Sequence, residues 1–127
     1  MKATALLIDD AQLERKINEW TLLHAGYEVI TAKSGEEGLS LAITKLPDVI
    51  LLDPVLPDIN GHQLLVELKT HSETARIPVI ILSSAPQLDA LRFRREGAAE
   101  YLQKDKVLAE NSSQLIAAVE NVLHLVL

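Results

Sequence analysis

Five short apolar runs punctuate the chain, and longer stretches with helical period separate them. The runs are "ATALLI" (3–8), "YEVITA" (27–32), "DVILL" (48–52), "IPVIIL" (77–82) and "AEYLQ" (99–103). Several are nearly continuous Val, Ile and Leu, as expected of strands buried on both faces. Between them, Leu13, Ile17, Trp20 and Leu23 share one face of a helix predicted over 11–25, and Trp20 is read as helix packing. Leu39, Ile43 and Leu46 do the same over 35–46, where Ser34 and Glu37 have the spacing of a capping box. Asn60 is placed to cap a third helix with Leu64, Leu65 and Leu68 facing inward. A fourth is predicted over 86–96, with Pro86 in its first turn and Gly97 at its end, but Arg92, Arg94 and Arg95 leave it little apolar face. A fifth over 112–126 lines up Leu115, Val119, Val122 and Val126. No linker, repeat or low-complexity segment interrupts the pattern, so residues 1–127 are expected to form a single domain.

Strand and helix alternating five times predict an α/β fold: a parallel sheet with helices on both faces, placed there by right-handed crossovers. Ligands of such sheets bind beyond the carboxyl ends of the strands. The residues leaving those ends therefore matter most. Strand one ends at Asp9-Asp10, strand three at Asp53, strand four at Ser83-Ser84 and strand five at Gln103-Lys104. Strand two ends without a carboxylate and is expected at an edge.

Composition narrows the chemistry. The chain has 127 residues, 48% of them apolar, which suits one globular domain with a real core. It has no cysteine, which excludes disulfides and thiolate metal sites and fits a reducing, cytoplasmic setting. No run reaches membrane-spanning length, and the N-terminus does not read as a signal peptide. A net charge of −6 and 3% aromatics argue against binding nucleic acid directly.

Three carboxylates on one rim repel, each pair by roughly 4 kcal/mol at about 4 Å and an effective dielectric near 20. Lys104 offsets one charge, and a hard divalent cation would offset two. With no histidine or cysteine in the set, Mg²⁺ is the favoured ion. An acid cluster, a hydroxyl and an ammonium around Mg²⁺ are what phosphoryl transfer requires. A carboxylate can be the nucleophile, and Asp53 is central.

With these residues in place, the chain resembles the receiver domains of two-component response regulators over essentially its whole length. The carrying segments are "LLIDD" (6–10), "VILLDPVLPDING" (49–61), "VIILSSA" (79–85) and "GAAEYLQKD" (97–105). The resemblance implies a flavodoxin-like sheet of order 2-1-3-4-5 with five helices. It makes Asp53 the phospho-acceptor and places Mg²⁺ on Asp9, Asp10, Asp53 and the backbone carbonyl of Val55. Ser83 and Lys104 would bind the phosphoryl group, and Ser83 and Tyr101 would form the switch. The donor would be a histidine kinase or a histidine phosphotransfer protein. A downstream protein would read the surface of the fourth helix, fifth strand and fifth helix. Such a domain catalyses only its own phosphorylation and dephosphorylation. Pro57 and Gly61 match the family's loop proline and the glycine opening the third helix.

Two departures bear on this. Asp105 stands where the family has a proline after a cis peptide; because a non-proline cis bond costs roughly 2.5–4 kcal/mol, a trans Lys104–Asp105 bond, or a strained one, is expected. Pro54 removes no needed donor, since the amide used is that of Val55, and it disfavours the α region for Asp53. Val55 and Ala85, two beyond Asp53 and Ser83, cannot orient an attacking water, so a long-lived acyl phosphate is expected.

Each residue alone also has a plain structural reading: Asp9-Asp10 as a helix cap, Asp53 as a turn residue, Ser83-Ser84 as a cap, Tyr101 as core, Lys104 as a solvated lysine. His24, His62, His71 and His124 lack ligand spacing. Arg92, Arg94 and Arg95 read as a solvated face, with a partner or homodimer patch as the alternative. Two other functions compete. A haloacid-dehalogenase-type phosphatase would want an acid at position 55, where Val stands, and usually a longer chain. The other is a phosphorylation-independent receiver-like binding module, which the Asp9, Asp10, Asp53, Ser83 and Lys104 set argues against. No output domain follows "ENVLHLVL", so output is expected from a partner or from a domain outside this sequence.

Overall fold

The computed structural model describes residues 2–83, 90–104 and 113–126. Five parallel strands, β1 (Thr4–Ile8), β2 (Glu28–Ala32), β3 (Val49–Leu52), β4 (Val79–Ser83) and β5 (Glu100–Gln103), lie in the order β2-β1-β3-β4-β5. The described helices are α1 (Gln12–His24), α2 (Gly35–Lys45), α3 (Gly61–Thr70), α4 (Ala90–Arg95) and α5 (Ser113–Val126). This is the doubly wound architecture expected from the strand–helix alternation, with β2 at the edge. Every residue of β3 and of β4 is buried, which is why those runs carry no polar alternation.

The sheet separates two cores. On one face Leu6, Ile8, Ile50 and Leu52 meet α2, α3 and α4 through Ala42, Leu64, Leu65, Leu68 and Phe93. On the other, Ala5, Leu7, Val49 and Leu51 meet α1 and α5 through Leu22, Leu115, Val119 and Val122. The inward faces predicted for α3 and for the described side chains of α5 are correct. Burying each such Leu or Val stabilises by about 1.5–3 kcal/mol.

The caps follow the sequence as well. The Ser34 side chain accepts the Glu37 N–H at 3.2 Å, while Glu37 Oε1 reaches back to the Lys33 N–H at 2.7 Å. Asn60 Oδ1 accepts the His62 N–H at 2.8 Å. Gly97 ends α4 with φ +111°, a conformation that favours glycine.

Three expectations need correction. The apolar face predicted for α1 is the outer one: Leu13, Ile17, Trp20 and Leu23 are 72%, 38%, 61% and 50% exposed, and α1 buries Arg15, Asn18 and Leu22 instead. Trp20 stacks on His24 of its own helix, ring centroids 3.7 Å apart, rather than in a core. Leu46, expected to share the inner face of α2, is its left-handed cap (φ 48°) and is exposed, while Leu39 and Ile43 are half-buried and Gly38 and Ala42 make the close approach. Short α4 does have an apolar anchor, the buried Phe93. It stacks under His62 of α3 at 3.9 Å, and the His62 ring pairs with Glu96. Positions 84–89, which include Ala85 and the predicted start of α4 at 86, lie outside the described residues, as does the Lys104–Asp105 peptide.

Candidate functional site

β1 and β3 are in register with Ile8 opposite Leu52, so Asp9 and Asp53 leave neighbouring strands at the same level. Their amides continue the ladder: the Asp53 N–H donates to Ile8 O at 2.9 Å and the Asp9 N–H to Ala32 O at 3.0 Å. Each carboxylate then divides its oxygens. Asp9 Oδ1 accepts the Ala11 N–H and Asp53 Oδ1 the Val55 N–H, both at 2.9 Å. The two remaining oxygens converge on the Lys104 ammonium, at 2.9 Å from Asp9 Oδ2 and 2.6 Å from Asp53 Oδ2. The plain readings of both acids as local backbone partners are thus true of one oxygen each. The other oxygen is turned to the site.

Lys104 leaves the end of β5 and is buried, so it is not the solvated lysine of the plain reading. Burial alone would lower its pKa, but the hydrogen bonds and charges of Asp53 and Asp9 outweigh that and hold it above its ordinary value. For Asp9, burial pushes the carboxyl pKa up; Lys104 and the Ala11 amide pull it back only in part, and the charge of Asp53 adds to the rise.

The loop after Asp53 is held tightly. The Gly61 N–H donates to Pro54 O at 3.1 Å, and a Cβ on Gly61 would stand 2.4 Å from Pro54 Cα, so no other residue fits without moving the backbone. Val55 bridges to Asn60 and exposes its side chain, leaving its backbone at the rim. Asp58 crosses to α2 and accepts the Gly35 and Glu36 N–H groups at 2.9 Å each. Those bonds hold its carboxyl below the usual carboxylate range.

Ser83 ends β4, opposite Gln103, and is buried. Tyr101 is buried in β5 with its ring 5.9 Å from that of Phe93. Asp10 is exposed beside Asp9. The structure therefore brings Asp9, Asp53 and Lys104 into direct contact, with Ser83 on the next strand end and Asp10 on the solvent side.

Two site residues escaped the sequence reading, both in the first turns of α1. Glu14 Oε2 is a third carboxylate on Lys104, at 3.3 Å. Arg15, buried, donates from Nη1 to Asp9 O at 2.8 Å, with Asp10 O at 3.5 Å. The only available signal was their closeness in sequence to Asp9-Asp10.

Among the described residues no three acidic or histidine side chains are grouped so that they could hold a metal ion by themselves. The donor set nonetheless suits a hard ion that keeps most of its waters. Asp9 Oδ2 is buried with Lys104 as its sole partner among the described residues, and Asp53 and Asp10 stand beside it.

The fold and this rim define a class. The model of the response regulator receiver domain matches residues 5–120, and the chain belongs to that family. It is 38% identical to protein PilH of Pseudomonas aeruginosa over 80% of this chain and 85% of that one. It is 34% identical to the polar-differentiation response regulator DivK of Brucella ovis, over 82% and 85% of the two chains. It also matches longer regulators, and spans 23% of PleD of Caulobacter vibrioides. Among solved structures, the N-terminal domain of a response regulator receiver protein from Methanoculleus marisnigri superposes with a TM-score of 0.75 at 31% identity, covering 95% of this chain and 96% of that one. Among the described residues no helix is long and apolar enough to cross a membrane.

Proposed function

We propose that Asp53 is the phospho-acceptor of a cytoplasmic two-component or phosphorelay system, and that the chain is a switch read by a partner protein. The supporting observation is the buried Lys104 ammonium 2.6 Å from Asp53 Oδ2 and 2.9 Å from Asp9 Oδ2. A structural ion pair needs one acid; here one buried cation faces three, Asp53, Asp9 and the more exposed Glu14, at the strand ends where this fold class binds ligands.

In this reading a carboxylate oxygen of Asp53 attacks the phosphorus of a phosphohistidine on a histidine kinase or histidine phosphotransfer protein. The new P–O bond forms as the P–N bond breaks, and the histidine nitrogen leaves with the bonding pair. The aspartyl phosphate brings close to two negative charges, and Lys104 is already in place to pair with one phosphoryl oxygen. The Val55 N–H and the Ser83 hydroxyl supply donors to the others. Mg²⁺ bound by Asp9, Asp10, Asp53 and the Val55 carbonyl would neutralise the developing charge. Because neither Val55 nor Ala85 can direct a water, the acyl phosphate is expected to outlast minutes.

Movement of Ser83 toward the phosphoryl group, followed by Tyr101, would reshape the surface of α4, β5 and α5 that the partner reads. The test uses beryllofluoride, a phosphoryl mimic, with Mg²⁺, and follows the Ser83 and Tyr101 amide resonances. Both are expected to shift in the wild type and to stay unchanged in Asp53→Asn. An unresponsive wild type would favour a phosphorylation-independent binding module.

A further inference from the structure

We infer that Glu14 is a positioning residue that competes with the phosphoryl group for Lys104; the inference rests on the phospho-acceptor reading above. A lysine ammonium has three N–H donors and no more. In this structure three carboxylate oxygens surround Lys104 Nζ: Asp53 Oδ2 at 2.6 Å, Asp9 Oδ2 at 2.9 Å and Glu14 Oε2 at 3.3 Å. The contacts to Asp53 and Glu14 are hydrogen bonds, and Asp9 Oδ2 is held as an ion pair. Phosphorylation turns the Asp53 carboxylate into an acyl phosphate, so the N–H it held passes to a phosphoryl oxygen, which then shares the ammonium with Asp9 and Glu14.

Of the two acids that remain, Glu14 is the one whose hold can loosen in favour of the phosphoryl group. Its contact is the longest of the three, and its side chain is 36% exposed, against 1% for Asp9 and 11% for Asp53, so water can take over the released carboxylate. Its backbone cannot follow the ammonium inward. Arg15, the next residue, is pinned to Asp9 O at 2.8 Å, and Leu22, two turns on, is fully buried. Glu14 therefore holds Lys104 back toward α1 in the resting state, and each phosphorylation works against that hold. A glutamine here keeps the shape and loses the charge. An aspartate keeps the charge but falls one methylene short of the lysine.

The experiment measures beryllofluoride affinity at saturating Mg²⁺ in the wild type, Glu14→Gln and Glu14→Asp, read from the Ser83 amide, together with the lifetime of the aspartyl phosphate. Both variants are expected to bind beryllofluoride about two- to fivefold more tightly, the worth of a partly exposed ion pair, and to retain the phosphoryl group longer. A merely structural glutamate would instead give weaker binding and a lower melting temperature in both variants. Unchanged or weaker binding in Glu14→Gln overturns the inference. So does an aspartate variant that matches the wild type, since the effect would then be long-range charge rather than contact. A wild type that binds no beryllofluoride at all would instead sink the phospho-acceptor reading itself.

Discussion

Helices α1 and α3 follow the two strands that carry Asp9 and Asp53, yet they turn opposite kinds of face to the sheet. α3 does what its sequence pattern says: Leu64, Leu65 and Leu68 are fully buried. α1 reverses it, keeping Leu13, Ile17, Trp20 and Leu23 outside and burying Arg15 and Asn18 beside Leu22. The cause lies in what each helix meets. α3 packs on Leu52, Ile81 and the rest of an apolar layer. The first turns of α1 meet the Asp9 carbonyl and the Lys104 ammonium, which need a guanidinium and a carboxylate. Helical period alone names an apolar face; which face is buried depends on the polarity of the neighbour.

Four substitutions break or sharpen this contrast. Leu68→Ala removes a fully buried side chain from the α3 face and is expected to cost about 2–5 kcal/mol in denaturant unfolding. Arg15→Met keeps most of the volume on the α1 face but leaves Asp9 O without its donor. It is expected to cost about 1–3 kcal/mol and to weaken beryllofluoride binding, a double effect that Leu68→Ala should not show beyond its stability loss.

Asp58→Asn tests the loop before α3. Two backbone N–H groups hold the Asp58 pKa below its ordinary value, so its contribution is complete above that value and is lost as pH falls through the lowered one. The wild type should therefore melt higher than the variant at neutral pH, with the gap closing in strong acid. A gap independent of pH would contradict it. Trp20→Gln should be smallest, within about 0.5 kcal/mol of wild type. A large loss of stability there would mean that the outer face of α1 is part of the folded core after all.

Much of the fold was legible because its strands announce themselves. Continuous Val, Ile and Leu in β3 and β4 mean burial on both faces, and Asp53 at the end of such a run has no reason to be there except the rim. Asn60, Ser34 and Gly97 mark helix ends by chemistry that acts within a few residues. What was not legible depends on distance in sequence. Glu14 reaches Lys104 across 90 positions, and Asp58 caps a helix 22 residues before it. Neither has a local signature, because a carboxylate near a helix start reads the same whether it faces water or a buried ammonium. The inversion of α1 is the same lesson at the scale of a helix.

The central claim is that Asp53, beside its shared lysine, accepts a phosphoryl group. Intact-protein mass spectrometry after incubation with Mg²⁺ and a small phosphodonor such as acetyl phosphate tests it most directly. The wild type should gain the mass of one phosphoryl group, base-labile as an acyl phosphate is, and Asp53→Asn should gain none. No gain in the wild type, or an equal gain in the Asp53→Asn protein, would contradict the account.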